Sequence, residues 1–381
     1  SFSKMNENQR KAVFAVNGPV VVLAGAGSGK TTAIVNRIVN MINYGDAYTT
    51  EEIPEFLDES IIENLESVYN NGEGAESVKN IIKHNPIRPW NILAITFTNK
   101  AAGELKSRLS NVLGDVGKDV YASTFHSLCS RILRAHAEKL GYSNHFVVYD
   151  DDDSKRLIKE CIKTLNLDDK IVSYKNVRNE ISGAKDKLIN FQEFKRKSFG
   201  DYRLAAIAEI YELYQKKLIE SDAMDFDDLI MNAVILFKNN PAVLESYQEK
   251  FKYILVDEYQ DTNYTQYVLI RDLAKKYSNL CVVGDDDQSI YKFRGATIEN
   301  ILDFERHFPG AKTIRLEQNY RSTQNIISAA NAVIRNNHNR KEKTLWTANE
   351  QGEKIRVHTA YSEHDEANYI SEAIQDLVAR G

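Results

Sequence analysis

The chain has 381 residues, of which 43% are hydrophobic and 27% are charged. This composition fits a folded protein of two or three domains and excludes a wholly disordered chain. With 49 basic and 54 acidic residues the net charge is −5, so there is no strongly basic coat for nucleic acid, whereas a local basic groove remains compatible with it. No apolar run approaches the roughly 18 residues that span a bilayer, and no secretion signal opens the chain. The three widely spaced cysteines indicate neither a disulfide framework nor a zinc site, and we expect a cytoplasmic protein without a membrane partner.

Short apolar runs alternate with helical patterns over about 130 residues and again after residue 222. The first run, Pro19–Leu23, leads through a glycine-rich turn into Thr31–Met41, where apolar residues recur at helical spacing. Further runs follow at Ile92–Ile95, Tyr253–Val256 and Leu280–Val283. Because buried parallel strands are apolar throughout and are joined by helices, the pattern predicts an α/β fold with a parallel sheet.

Two stretches interrupt this alternation. Residues 45–88 are rich in Asp and Glu with apolar residues near helical spacing, which predicts an inserted helical lobe. This insertion either binds a partner or only decorates the surface, and the sequence leaves both open. Residues 131–222 are rich in Lys and Glu and have helical periodicity without a clear strand, so we expect a helical subdomain placed inside the α/β domain.

A further unit is predicted from about residue 312. Lys312–Leu316 has the pattern of a strand, Thr323–Asn336 that of a helix and Lys354–Thr359 that of another strand. Glu366–Val378 has the pattern of an amphipathic helix. Together these elements indicate the start of a second α/β unit.

The turn after the first strand has the pattern of a phosphate-binding loop. Ala24–Thr31 has the sequence AGAGSGKT between a predicted strand and a predicted helix, the context that such a loop requires. Small residues let backbone N–H groups surround phosphate oxygens, and the helix N-terminus favours negative charge. Lys30 is expected to reach the β- and γ-phosphates of ATP and Thr31 to hold Mg²⁺. Ala24 stands where the general pattern has glycine, and the alternative is a tight turn without a ligand.

Two carboxylates follow another predicted strand. Asp257 and Glu258 come directly after Tyr253–Val256, at the end of a parallel strand where ligands bind in α/β sheets. Asp257 is suited to hold Mg²⁺, and Glu258 to orient and deprotonate an attacking water. A strand-end Asp that only caps a helix is the alternative, which the phosphate loop disfavours.

Several blocks in order along the chain resemble motifs of the UvrD/Rep/PcrA group of superfamily 1 DNA helicases. The resemblance covers nearly the whole chain except residues 45–88, and an ordered series of motifs is far more specific than any one of them. Besides the phosphate loop, the matching blocks are TFTNKAA at Thr96–Ala102, TFHS at Thr124–Ser127, DEYQDT at Asp257–Thr262, GDDDQSIYKFRGA at Gly284–Ala296 and QNYRS at Gln318–Ser322.

The resemblance implies a domain organisation. A first RecA-like P-loop NTPase domain comprises residues 1–130 and 223–311, with the acidic insertion at about 45–88 and the helical subdomain at 131–222. Residues 312–381 start a second, incomplete RecA-like domain, and ATP lies between the two. Two later family motifs are not found, so we expect the N-terminal portion of a longer helicase that unwinds weakly or not at all by itself.

The resemblance also implies roles at the nucleotide. Gln9 reads the adenine edge, Arg37 lies beside the base, and Tyr320 stacks on the ring. Gln288 senses the γ-phosphate, and Arg321 is an arginine finger. The expected catalytic residues are Lys30, Asp257, Glu258, Gln288 and Arg321. The expected nucleotide-binding residues are Gln9, Ala24, Gly25, Ala26, Gly27, Ser28, Gly29, Lys30, Thr31, Thr32, Arg37 and Tyr320, with Thr31 and Asp257 at the metal.

Single-stranded DNA requires aromatic platforms and backbone contacts. By the resemblance, several aromatic and polar residues form pockets that hold and pass bases. Core packing is the favoured interpretation of each aromatic taken alone, and placement inside family motifs reverses it for Phe97, Tyr291 and Phe293 but leaves Phe226 and His126 closer to even. The expected DNA-binding residues are Phe97, Asn99, His126, Phe226, Tyr291, Phe293 and Arg294.

The leading interpretation is an ATP-dependent DNA helicase that moves 3′ to 5′ on single-stranded DNA, acts at duplex junctions, and serves DNA repair or replication with protein partners. The alternatives are a non-motor ATP-binding clamp on DNA and the ATPase subunit of a helicase–nuclease complex. A small-molecule kinase would account for Lys30 but not for Phe97 or Tyr291. The pathway and the oligomeric state are left open.

Overall fold

The computed structural model describes residues 2–53, 57–71, 78–168, 172–292, 295–338 and 340–380. The α-helices in these ranges are α1 Glu7–Phe14, α2 Lys30–Asn43, α3 Glu59–Asn71, α4 Asn99–Leu113, α5 Phe125–His136, α6 Asp151–Thr164, α7 Tyr174–Lys185, α8 Phe191–Lys197, α9 Tyr202–Glu220, α10 Phe226–Asn239, α11 Pro241–Lys250, α12 Tyr264–Ala274, α13 Glu299–Leu302, α14 Phe304–His307, α15 Gln324–Ile334 and α16 Glu363–Arg380. The strands are β1 Val20–Ala24, β2 Ile92–Thr96, β3 Tyr121–Thr124, β4 Val147–Val148, β5 Ala223–Met224, β6 Tyr253–Val256, β7 Leu280–Gly284 and β8 Lys312–Leu316.

A six-stranded sheet with the order β3-β2-β6-β7-β1-β8 forms the centre of the molecule, and every neighbouring pair is parallel. The expected α/β architecture with a parallel sheet is confirmed. Because β6, β7 and β1 are neighbours, the segments that follow their carboxyl ends lie at one edge of the sheet. That edge is where an open α/β sheet binds ligands.

Helices cover both faces of this sheet. Val21 and Leu23 join one core with residues of α5, α10 and α12. Val20 and Val22 point to the other face and join a second core with residues of α1, α2 and α4. Since neither face meets water at the centre of the sheet, β1 is apolar and buried at every position, whereas the edge strand β8 alternates between exposed and buried residues.

A third core lies within the helical stretch that follows α5. It joins apolar residues of α6, α7 and α9, including the fully buried Tyr211 and Tyr214. One short strand was not expected there: β4 pairs in parallel with β5, so that Val147 lies opposite Ala223. This two-residue pairing was too short to give a periodic signal, and it brings the first and last parts of the helical stretch together.

Lys185, at the end of α7, ties this helical unit to α10. The side chain is 1% exposed, and its Nζ lies 2.6 Å from an Asp225 carboxylate oxygen and 2.8 Å from one of Asp228. Burial opposes the lysine charge, but the two carboxylates outweigh it and hold the pKa of Lys185 above its usual value. Tyr214 donates a further hydrogen bond to Asp225, at 2.9 Å. The N-terminus of α10, where Phe226 lies, is therefore fixed to the helical unit.

The chain after β7 departs from the expected layout. Lys312–Leu316, expected to open a second unit, forms an edge strand of the first sheet and pairs with β1 along its whole length, from Val20 with Lys312 to Ala24 with Leu316. The expected helix at Thr323–Asn336 is present as α15, and that at Glu366–Val378 as α16. Lys354–Thr359 was expected to be a strand, and this prediction is wrong: the segment is largely exposed and has no strand partner.

The acidic insertion forms an exposed helix. None of the residues of α3 is buried, and its Ile61, Leu65 and Val68 are only partly covered. At the base of the insertion, His84 contacts Asp46 through Nδ1 at 2.6 Å and Glu52 through Nε2 at 3.0 Å. Among the helices of the described ranges, none is long and apolar enough to cross a membrane.

Candidate functional site

The turn between β1 and α2 forms a narrow cradle at the edge of the sheet. Gly27 and Gly29 have φ values of 66° and 83°, in the left-handed region that residues with a Cβ rarely adopt. Gly29 precedes α2 without a side-chain cap, so the first N–H groups of the helix point into the turn. The Ser28 hydroxyl is buried and has no hydrogen-bond partner among the described residues. These features fit the binding of phosphate oxygens.

Lys30 and Glu258 meet across this cradle. The lysine Nζ lies 3.0 Å from Oε2 and 3.2 Å from Oε1 of the glutamate. Glu258 has a φ of 50°, a left-handed conformation that is strained for a residue other than glycine. Gln260 holds the same carboxylate by donating from Nε2 to Oε2 at 2.9 Å. The expected base and the expected phosphate-binding cation are therefore in direct contact.

Asp257 lies beside this pair, where it can receive a metal ion. Burial and the neighbouring Glu258 raise the pKa of Asp257 to about 6, and Lys30 opposes the shift. A small cavity of about 50 Å³ has both Thr31 and Asp257 among its lining residues. A hydroxyl and a poorly solvated carboxylate facing one small space are oxygen ligands of the kind that Mg²⁺ prefers.

Gln288 lies on the turn after β7 and is connected to Glu258 through other side chains. Its Nε2 donates to Asp285 Oδ2 at 2.5 Å. The backbone N–H of Asp285 in turn donates to Gln260 Oε1 at 2.9 Å. Gln260, which is 2% exposed, thus joins the expected base to the expected γ-phosphate sensor. The sequence analysis gave Gln260 no role, although it lies within the DEYQDT block.

Residues after β8 also contact the phosphate cradle, at the backbone carbonyls of Ala26 and Gly27. Asn319 donates from Nδ2 to the carbonyl of Ala26 at 2.7 Å, and the backbone N–H of Tyr320 donates to the carbonyl of Gly27 at 3.0 Å. Asn319 Oδ1 accepts the backbone N–H of Arg321 at 2.8 Å. The backbone of Arg321, the expected arginine finger, therefore lies next to the cradle. Asn319 positions it, a role that nothing in the sequence indicated.

The residues expected around the adenine divide into two groups. Gln9 donates from Nε2 to the carbonyl of Ser28 at 3.0 Å, and Asn6 donates to the hydroxyl of the half-exposed Tyr320 at 3.0 Å. Asn6 also accepts the backbone N–H of Gln9 at 2.8 Å, so Gln9 and Tyr320 both lie next to Asn6 beside the cradle. Arg37, in contrast, is 4% exposed and donates to the carbonyls of Ala12 and Val16, so it ties α2 to α1 instead of facing a ligand. Thr32 is exposed on the first turn of α2.

The first turn of α5 links several residues expected to bind DNA. Phe97 packs edge-on against Phe125, with ring centroids 6.0 Å apart, and His126 contacts Phe226 at 4.6 Å. Burial lowers the pKa of His126 to about 4, so its ring is neutral at physiological pH. Phe226 remains 55% exposed, as a stacking platform requires.

The structure describes two of the four remaining residues that were expected to contact DNA, Asn99 and Tyr291. Asn99 is exposed at the start of α4, where Thr98 caps the helix by accepting the N–H of Ala101. Tyr291 is partly buried on the segment after Gln288. Phe293 and Arg294 lie outside the residues that the structure describes.

Two family models match the chain. Residues 5–53 and 75–309 match the UvrD/REP helicase N-terminal domain, and residues 314–381 match the UvrD-like helicase C-terminal domain. The chain belongs to the UvrD/REP helicase family. The sheet and its helices are consistent with the RecA-like fold of this family, and the unmatched residues 54–74 fall inside the expected insertion. The second match begins within β8, the strand that completes the first sheet.

Several curated relatives of this chain share one description. The chain is 44% identical over 379 residues to the ATP-dependent DNA helicase PcrA of Bacillus subtilis (strain 168), covering 100% of this chain and 46% of that protein. It is also 44% identical to the PcrA proteins of Staphylococcus epidermidis (strain RP62A) and Staphylococcus aureus (strain Mu50), covering 97% and 96% of this chain. The chain spans less than half the length of these relatives.

Proposed function

We propose that this chain is the nucleotide-hydrolysing part of an ATP-dependent DNA helicase that moves 3′ to 5′ along single-stranded DNA. The direction comes from the family resemblance, and the substrates from the printed names of the PcrA relatives. The observation that carries the proposal is the convergence of Lys30, Glu258 and the Asn319–Arg321 segment on one glycine cradle. A cation, a base and an arginine around one phosphate site are what phosphoryl transfer to water needs.

The residues of the cradle have separate tasks in this proposal. Backbone N–H groups of Ala26, Gly27 and Gly29 and the N-terminus of α2 bind the phosphates, whereas the N–H groups of Gly25 and Ser28 donate to backbone carbonyls and shape the turn. Lys30 leaves Glu258 and contacts the β- and γ-phosphates, which frees the glutamate to orient a water and accept its proton. Thr31 and Asp257 hold Mg²⁺, which supplies charge neutralisation at the phosphates.

Residues outside the cradle complete the proposed site. Gln9 reads the edge of the adenine, and Tyr320 stacks on its ring. Arg321 neutralises charge that develops on the transferred phosphoryl group, since a guanidinium stays charged and is planar. Thr32 is kept as a phosphate-side contact on the first turn of α2. We do not retain Arg37 as a base contact because its guanidinium already bonds two backbone carbonyls.

Single-stranded DNA is the proposed partner of the surface that carries Phe97, Asn99, His126, Phe226 and Tyr291. The exposed ring of Phe226 next to the neutral His126 supports base stacking. Tyr291 is three residues after Gln288, so a shift at the γ-phosphate is passed to a base pocket through one short segment. Roles at duplex junctions and in DNA repair or replication belong to the same proposal, as does a cytoplasmic location, which the free and buried cysteines support.

The decisive experiment measures ATP hydrolysis by this chain with and without single-stranded DNA, beside a Glu258→Gln variant. DNA-stimulated turnover that disappears in the variant supports the motor. Nucleotide and DNA binding without turnover, in this chain and in the full-length protein, supports the non-motor clamp instead. Turnover combined with stable copurification of a nuclease would favour the subunit of a helicase–nuclease complex.

A further inference from the structure

A short segment after α15 crosses the turn that carries Gln288. Lys343 lies over the three consecutive carboxylates of that turn, and its side chain is 1% exposed. Its Nζ lies 2.9 Å from Asp285 Oδ1 and 2.8 Å from Asp287 Oδ2, and it also bonds Asp286. One buried ammonium thus contacts all three acids.

The three carboxylates by themselves form an arrangement suited to a cation. One oxygen of each lies within 4.8 Å of the others. In this chain the cation is the lysine, helped by Arg340, whose Nε and Nη2 donate to the two oxygens of Asp287 at 2.8 and 2.7 Å. Without a positive charge, three adjacent carboxylates with little access to water repel one another strongly. The shape of the turn therefore depends on Lys343.

Asp285 connects Lys343 to the nucleotide site. Its Oδ1 accepts from Lys343, and its Oδ2 accepts from Gln288 Nε2 at 2.5 Å. Its backbone N–H donates to Gln260, which holds Glu258. Asp285 thus holds the side chain of Gln288 through Oδ2, and Lys343 holds Asp285 through Oδ1.

The same segment also contacts the phosphate cradle. The side chain of Leu345, two residues after Lys343, packs so closely on Gly25 that a Cβ at that glycine would overlap it. Asn331 of α15 holds Leu345 by donating to its carbonyl at 2.7 Å. Residues 340–345 therefore form a strap from the acidic turn to the cradle.

We propose that Lys343 is a positioning residue for ATP hydrolysis, acting through Asp285 on Gln288. This inference rests on the proposed function, and it assigns the C-terminal family segment a task beyond Tyr320 and Arg321. Lys343 does not touch the nucleotide. It keeps the Gln288 amide directed to the place where the γ-phosphate is expected, and movement of the strap is passed to that amide.

The test uses the full-length protein with Lys343→Gln and, as a matched control, Lys341→Gln. Lys341 lies on the same strap, but its Nζ pairs with Glu305 at 2.7 Å, away from Asp285. We expect Lys343→Gln to lower kcat for ATP about tenfold or more with KM changed less than about threefold, because an interaction needed in the transition state is lost. Lys341→Gln should remain near the wild type in both constants.

The double variant Lys343→Gln/Asp286→Asn separates positioning from simple charge balance. Asp286→Asn removes one of the charges that Lys343 neutralises and alters neither partner of the Asp285–Gln288 hydrogen bond, so it should recover the melting temperature lost in Lys343→Gln while kcat stays low. Recovery of kcat together with stability would overturn the inference. Equal kcat in Lys343→Gln and Lys341→Gln would overturn it as well.

A second readout does not depend on hydrolysis. The backbone N–H of Gln288 donates to the Asp285 carbonyl at 2.9 Å, so its hydrogen exchange in the nucleotide-free protein reports how firmly the turn is held. We expect faster exchange in Lys343→Gln and no change in Lys341→Gln. Unchanged exchange refutes the inference even if the wild type proves inactive, whereas an inactive wild type with the expected exchange pattern refutes only the proposed function.

Discussion

Lys30 and Glu258 form an ion pair across the phosphate cradle, with Nζ 3.0 Å from Oε2. In the proposed function each must release the other before ATP is hydrolysed, since the lysine is assigned to the phosphates and the carboxylate to a water. The ion pair therefore holds both side chains at the site, and we expect bound ATP to separate them.

Glu258→Gln should abolish turnover and leave nucleotide binding intact. Loss of a general base lowers kcat by about 10²- to 10⁴-fold, whereas freeing Lys30 from its partner leaves ATP affinity equal or tighter. Steady-state hydrolysis and binding of a fluorescent ATP analogue measure the two effects. Glu245→Gln, which removes an exposed pair with Lys276, is the control and should keep wild-type turnover. Weakened binding in Glu258→Gln would contradict this account of the pair.

The raised pKa of Asp257 predicts how the free energy of unfolding depends on pH. Because the pKa is about 6 in the folded chain and lower in the unfolded chain, the charge of Asp257 costs stability progressively as the pH rises from about 4 to 6, and the full cost is present above 6. Asp257→Asn should therefore raise the free energy of unfolding of the metal-free chain at pH 7 by about 3 kcal/mol. Hydrolysis should be lost.

Urea unfolding at pH 7 and pH 5 in the presence of EDTA tests this prediction. The gain from Asp257→Asn should shrink at pH 5, where the wild-type carboxyl is mostly protonated. Asp115→Asn, on an exposed turn, should change stability little at either pH. A gain of the same size at both pH values would show that the shift in pKa is not its source.

Asn319→Ala should lower kcat without removing any group that contacts the phosphates directly. The side chain joins Ala26 to the backbone N–H groups of Arg321 and Ser322, so its loss lets the arginine move. We expect a decrease of about tenfold, as for a misplaced catalytic group. Asn325→Ala is the matched control because Asn325 bonds the carbonyls of Gly352 and Glu353, away from the cradle. Similar losses in both variants would argue for a general effect on the segment.

Phe226→Ala should weaken binding of single-stranded DNA more than it weakens folding. Stacking of a base on an aromatic ring contributes about 1–3 kcal/mol, which corresponds to roughly 5- to 150-fold in affinity. Fluorescence anisotropy with a labelled oligonucleotide at fixed salt measures it. Phe199→Ala removes a ring that is 96% exposed on the helical unit and should leave the affinity unchanged. The proposed DNA surface is wrong if the two variants bind equally.

Replacing residues 54–74 with a short Gly-Ser linker should leave hydrolysis and melting temperature close to wild type. The described helix of this insertion buries none of its residues, and the family model does not include it. A decrease in DNA affinity on replacement would assign the insertion a binding role and exclude surface decoration.

Local sequence was sufficient for the parts of the site that lie within one element and its turn. The glycine cradle, Lys30 and the Asp257–Glu258 pair each follow a strand whose apolar run is visible in the sequence. Contacts across long separations were not predictable in this way. Lys343 meets Asp286 across 57 residues, and β8 joins the first sheet because its register with β1 buries Ile314 and Leu316. Nothing in the spacing of either segment encodes its partner.

Packing also explains why Arg37 and the segment Lys354–Thr359 differ from what the sequence indicated. Arg37 lies on the helix after the phosphate loop, and only the packing of α1 shows that its guanidinium faces the Ala12 and Val16 carbonyls. The segment Lys354–Thr359 alternates like a strand, yet a strand needs a neighbour with free backbone groups, and the described part of the chain provides none there.

The left-handed backbone of Glu258 sets stability against activity at one position. A residue with a Cβ loses about 1 kcal/mol in this conformation relative to glycine, so substitution by glycine would relax the chain. It would also remove the carboxylate that the proposed function assigns as the general base. Any effort to make this protein more heat-resistant by replacing strained residues should therefore leave position 258 untouched, because we expect the most stabilising choice there to abolish turnover.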